Sequence, residues 1–142
     1  MPDILHKISI NAPRERVYAA LATVDGLAGW WTSTTSGESK PGKTLEFHFG
    51  KHVALMRVDA LDHGKHVEWE CTDDNPDWHG TKLTFDLSED AGRTTLLFGH
   101  RAWREANSFF AHCSMKWATF LLSLRQYVES GSGSPFPRDV AI

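Results

Sequence analysis

The sequence predicts an α+β fold of two layers, an antiparallel sheet packed against one long C-terminal helix. Three observations carry this. From Thr32 to Arg101 apolar residues recur with a period of two, the spacing of half-buried strands. From Asn107 to Glu129 they recur at three- and four-residue steps, with no Gly or Pro in between. A sheet with one apolar face and a helix with one apolar stripe must bury those surfaces against each other.

Each element follows in order. Asp3 to Ile10 alternates as a first strand, with Ile4, His6, Ile8 and Ile10 on one face. "NAPRERVYAALATVDGLAGWW" then has a helical pattern, and Val17, Leu21 and Val24 form its core stripe. Pro13 suits the first helical position, where its missing N–H costs nothing, and it holds Ala12 extended. Glu15 falls in the first turn, where the helix dipole favours it. Gly26 and Gly29 are expected to break this segment into two short helices. Trp30 and Trp31 would then sit where the chain turns into the second strand, with Trp31 inward and Trp30 nearer the surface.

"SGESKPGK" is a turn cluster, and the strand "TLEFHFG" follows it with Leu45, Phe47 and Phe49 on one face. "HVALMRVDALDHG" is the next strand; Met56 and Val58 compete with Val53 and Leu55 for its inner face. "HVEWECTD" sets Val67, Trp69 and Cys71 against Glu68, Glu70 and Thr72. "DDNPDWHG" is a loop by its Asp, Asn, Pro and Gly content. "TKLTFDL" alternates again, "SEDAGR" turns the chain, and "TTLLFGHRAW" is the last strand, so the strands form a consecutive antiparallel meander. In the terminal helix Phe110, Cys113, Trp117, Leu121, Leu124 and Val128 make the stripe, and Gly131 ends it.

With 142 residues the chain is the size of one domain, and 41% hydrophobic against 23% charged residues is a globular balance. A net charge of −3 offers no basic face for nucleic acid. No apolar run reaches the roughly 18 residues of a membrane span. "MPDILHKISI" does not read as a secretory signal, and Cys71 and Cys113 read as reduced thiols, so a cytoplasmic location is expected. Six Trp and eight Phe are enough aromatic side chains for a large core or for the wall of an apolar pocket.

Four stretches, "ISINAPRERVYAALATVDGLAGWW", "PGKTLEFHFG", "TTLLFGH" and "CSMKWATFLLSLRQYVESGSGSPFP", occur in that order. Together they resemble the activator of heat-shock protein 90 ATPase homologues, a family of the START-like (SRPBCC) superfamily. The resemblance implies a helix-grip fold: a curved antiparallel sheet wrapped around the long C-terminal helix, with two short helices after the first strand. It implies a single domain over residues 1–130 with a tail at 131–142, and a cavity between sheet and helix. Relatives bind lipids, sterols, hormones or polyketides, and some act as polyketide cyclases or dehydratases. The eukaryotic co-chaperones of the family carry a further domain, which makes a chaperone partner the less expected reading here.

The expected ligand is a small apolar or amphipathic molecule, and the expected wall is Trp31, Phe47, Phe49, Met56, Trp69, Cys71, Phe85, Phe98, His100, Phe110, Cys113, Trp117 and Leu121. The alternative is that these side chains fill one another's gaps as an ordinary core does. His100 is the weak catalytic candidate, a base at the end of a strand, against a histidine with both nitrogens already bonded. Arg101 and Arg104 offer an anion clamp or merely a solvated loop. His48 with His52, and His63 with His66, each lack a third metal ligand, so no metal and no cofactor are expected. His112, Cys113 and Ser114 are helix neighbours that point apart and form no nucleophile–base pair. Glu68 and Glu70 face outward, and Asp73, Asp74 and Asp77 read as turn formers. The enzyme reading stands second to ligand binding, and a homodimer or chaperone-interacting module stands third.

Overall fold

The computed structural model describes all 142 residues. The chain runs β1 (Ile4–Ile10), α1 (Arg14–Ala22), α2 (Val24–Trp30), β2 (Thr35–Gly37), β3 (Thr44–Phe49), β4 (His52–Asp62), β5 (His66–Cys71), β6 (Lys82–Asp90), β7 (Arg93–Arg101) and α3 (Ser108–Ser130). The seven strands form one antiparallel sheet in the order β1-β7-β6-β5-β4-β3-β2. The meander from β2 to β7 is therefore consecutive, and β1 closes the far side by pairing with β7. A register shift between Val58 and Ala60 bulges β4 against β5, which adds the local bend that curls a sheet around a helix.

One face of the sheet is apolar and lies against α3, as the alternation predicts. Met56, Val58, Val67, Trp69, Leu83, Phe85 and Leu96 are wholly buried there. This resolves β4 in favour of Met56 and Val58, while Val53 and Leu55 are only half-buried. From α3, Cys113, Trp117, Leu121, Leu124 and Val128 pack onto that face. The outer face carries charges: Lys82 lies within 4 Å of Asp59, Glu68 and Glu70, and Arg57 bridges Asp59 and Glu70. Gly131 takes a left-handed conformation, φ 87°, and its N–H bonds the Tyr127 carbonyl, which ends α3.

Four local expectations are corrected. The break between α1 and α2 falls at Thr23, which is extended (φ −123°, ψ 148°) and caps α2 by accepting from the Gly26 N–H. Gly26 and Gly29 lie inside α2, where a Cβ would come within 2.6 Å of the Ala20 Cα and 2.3 Å of the Tyr127 ring. These glycines serve close packing and do not break the helix. Pro13 is the extended residue before α1 rather than its first helical residue. Part of the "SGESKPGK" turn cluster pairs as the short strand β2. Finally, Trp30 and Trp31 are both buried, because the chain is still helical at Trp30 and α2 lies against α3. Trp30 satisfies its indole N–H with the Ala20 carbonyl at 2.8 Å.

Candidate functional site

Trp31 stands at the centre of the space between sheet and helix. Its ring centroid is 4.2 Å from Phe47, 4.9 Å from Trp117, 5.4 Å from Phe49 and 6.0 Å from Trp69. Offset and tilted ring pairs at such distances attract beyond simple burial. Together they close the middle of the fold. Beyond them, beside the N-terminal half of α3, a cleft of about 540 Å³ remains.

Four walls enclose this cleft. Trp31, Phe49 and Trp117 form its floor, and Phe109, Cys113 and Phe120 line the α3 side. Trp78 enters from the loop between β5 and β6. That loop is fastened by Asp73, which is buried and accepts hydrogen bonds from the Leu55 and Asn75 N–H groups and from the Cys71 thiol. Asn107 caps α3 at the Phe110 N–H and also donates to Asp77 at 3.0 Å, tying the loop to the helix start. The fourth wall is the segment after α3. Its Phe136 N–H donates to the Trp31 carbonyl at 2.8 Å, its carbonyl accepts from Ser33 N–H, and its ring lies 5.4 Å from Phe49. Lys116 then donates to the carboxylate of Asp139 and to the Val140 carbonyl. The rim is polar, with His52, Asn75, His112, Lys116 and Asp139.

His100 lies behind Trp78 and does not border the cleft. Trp117 donates its indole N–H to Nδ1 at 3.1 Å, so the imidazole proton sits on Nε2. Nε2 then donates to Thr81 Oγ1 at 2.8 Å, which in turn donates to the Trp78 carbonyl at 2.6 Å. Burial pushes the imidazole down to about 3. A neutral ring with both nitrogens bonded has no lone pair to offer a substrate, so the catalytic role weighed for His100 has no geometric basis. Burial likewise pushes the Cys113 thiol up to about 11 and Cys71 up to about 12, which leaves both as neutral, weakly nucleophilic groups at neutral pH.

Of the residues predicted to form the wall, Trp31, Phe49, Cys113 and Trp117 border the cleft. Phe47, Met56, Trp69, Cys71, Phe85, Phe98, His100 and Leu121 lie in the packed core behind it, because the Trp31 and Trp117 rings fill the room between sheet and helix. Phe110 is half-buried and packs edge-on against Trp103 instead. Sequence reasoning missed Trp78, Phe109, Lys116, Phe120 and Phe136. Phe109, Lys116 and Phe120 recur at helical spacing with Cys113, each one residue before a member of the chosen stripe, and Trp78 is an aromatic residue stranded in a loop of turn formers; both signals were readable. His63 pairs with Glu15 at 2.9 Å, and His66 sits between Asp86 and Glu68. No group of three or more His, Cys, Asp or Glu side chains converges in a way that would hold a metal ion.

Residues 11–129 match the model of the family described as activator of Hsp90 ATPase homolog 1-like protein. The chain belongs to this family. Among solved structures, the Aha1 dimer from Colwellia psychrerythraea shares 40% identity at a TM-score of 0.87, over 94% of this chain and all of that one. Protein MLL2253 from Mesorhizobium loti (18% identity, TM-score 0.79) is aligned over 90% of this chain and 97% of its own. BH1534 from Bacillus halodurans (21% identity, TM-score 0.76) also covers 90% of this chain and 97% of its own. These last two share the fold. No functionally curated protein matches the chain. The fold of this family member is the helix-grip arrangement: a curved seven-stranded antiparallel sheet, two short early helices and a long C-terminal helix. No helix is long and apolar enough to cross a membrane.

Proposed function

We propose that this family member binds a small amphipathic molecule, its apolar body lying in the cleft between Trp31, Trp78 and Trp117. The observation that carries this reading is the 540 Å³ cleft itself, floored by aromatic rings and edged by a few polar groups. Small-molecule sites have this composition and fall in this size range. The apolar body belongs over the rings, and the polar end belongs at the rim with Asn75, His112 and Lys116. The enzyme alternative loses its base, since both His100 nitrogens are bonded within the protein.

The test is calorimetric titration of the purified chain with a panel of alkyl and aryl amphiphiles, alongside Trp78→Ala. Trp78 is half-buried on a loop, so its removal strips the cleft without hollowing the core. Loss of one aromatic wall should weaken binding by at least about tenfold, the equivalent of roughly 1.5 kcal/mol of apolar contact. Absence of binding across the panel, or equal affinities in the two proteins, rejects the proposal.

A homodimer is the second reading. It is favoured by the 40% identical relative, described as a dimer, and by Leu5 and Leu97, which are 58% and 52% exposed as diagonal neighbours on the outer face of β1 and β7. Sedimentation of wild type and Leu97→Lys tests it: a dimer that the substitution dissociates supports this face, and a monomeric wild type rejects the reading.

A further inference from the structure

The charges around the cleft are unevenly distributed between the scaffold and the segment that follows α3. Every polar side chain that the folded scaffold gives the rim carries a hydrogen-bond donor: His52, Asn75, His112 and Lys116. The rim's one side-chain carboxylate, Asp139, comes from the C-terminal segment. It lands on Lys116, whose side chain is only 22% exposed and whose ammonium lies 5.7 Å from the Phe120 ring centroid.

We propose that Asp139 stands in for the carboxylate of the natural ligand. The site takes a hydrophobic carboxylate, which displaces Asp139 from Lys116 as residues 138–142 swing off the cleft. The inference rests on the amphiphile-binding reading and specifies the ligand's polar end.

Two features make the exchange physically reasonable. A partly buried ammonium gains from a counter-charge, so removing Asp139 alone would leave Lys116 unpaired. An incoming carboxylate leaves the number of ion pairs unchanged, returns Asp139 to water, and adds the burial of its own apolar body. A neutral ligand offers no such compensation. The segment is also fastened lightly at this end. Past Arg138 its hydrogen bonds run to Lys116 alone, and Val140 and Ile142 are 59% and 53% exposed. Phe136, by contrast, is held by backbone bonds to Trp31 and Ser33, which places a hinge between it and Asp139. Segments with few buried contacts open at low free energy.

The experiment compares naphthalene-2-carboxylate with 2-naphthylmethanol by calorimetry on the full chain, on Lys116→Met and on Asp139→Asn, with unfolding curves confirming that each is folded. Wild type should bind the carboxylate at least about tenfold more tightly than the alcohol, the scale of one charge-assisted hydrogen bond. Lys116→Met should erase that preference while still binding the alcohol. Asp139→Asn should bind the carboxylate several-fold more tightly than wild type, because its competitor has gone. Equal affinities for acid and alcohol in wild type overturn the inference and leave the amphiphile site standing; failure of both probes overturns both. Should Lys116→Met not fold, Asp139→Asn decides alone: unchanged or weaker carboxylate binding contradicts the exchange.

Discussion

The indole N–H of Trp117 meets Nδ1 of His100 at 3.1 Å, joining α3 to β7 where both side chains are buried. The bond sets the tautomer and, with Thr81 on Nε2, leaves the ring neutral in a place where its charge would be unsolvated. Its ionisation is thus a matter of stability. In the unfolded chain the ring takes a proton near its ordinary 6.5, whereas the folded chain holds it off down to about 3. Between those values the unfolded state binds more protons, so stability is full above pH 6.5 and falls as the pH drops, by up to about 1.4 kcal/mol per unit. His100→Gln should flatten that slope. Urea unfolding of both proteins at pH about 7 and about 4.5 measures it, and parallel losses in the two would contradict the assignment.

His66 responds in the opposite sense. Burial by itself would lower its ionisation, but the carboxylates of Asp86 at 2.6 Å and Glu68 at 3.1 Å outweigh that and raise it. Its contribution to stability is complete below the ordinary histidine value and fades as pH rises through the raised one. An NMR titration of the histidine ring signals should therefore find the His66 midpoint above 6.5, and Asp86→Asn should bring it down. A midpoint below 6.5 in the wild-type chain would refute the pairing.

Gly26 is a test of packing against propensity. Ala is better than Gly in a helix interior by about 1 kcal/mol, so propensity alone predicts that Gly26→Ala stabilises. Here the new methyl would lie 2.6 Å from the Ala20 Cα and 2.7 Å from the Ala19 carbonyl oxygen, both backbone atoms of α1. Overpacking of this kind typically costs about 1–3 kcal/mol. A lowered Tm is expected, and an unchanged or raised one would show that α1 and α2 can move apart freely.

Much of the fold was readable in the sequence because period and face are local properties. Trp69 between Glu68 and Glu70 could only be a strand with one buried side, and the Gly- and Pro-free run to Glu129 could only be a helix. The connection at Thr23 was not readable, because Gly26 and Gly29 are glycines for the sake of packing, Gly26 against the backbone of α1 and Gly29 against the distant Tyr127 ring. The site was half legible. Trp31 and Trp117 emerged from the alternation and the stripe, but the same periodicity describes a closed core, and most of the predicted wall is one. What opens the cleft is the turn of α3 that presents Phe109, Cys113, Lys116 and Phe120, together with a C-terminal segment that folds back. Helix rotation and chain return depend on packing, and no local pattern records them.

Six indole N–H groups report directly on the central claim. Trp31, Trp78 and Trp117 border the cleft, whereas Trp30, Trp69 and Trp103 lie outside its wall. In a nitrogen-15 correlation spectrum with the six indole signals assigned by single substitutions, a bound amphiphile should shift the first three most and the second three least. Shifts confined to Trp30, Trp69 and Trp103, or none at saturating amphiphile, would contradict ligand binding in this cleft.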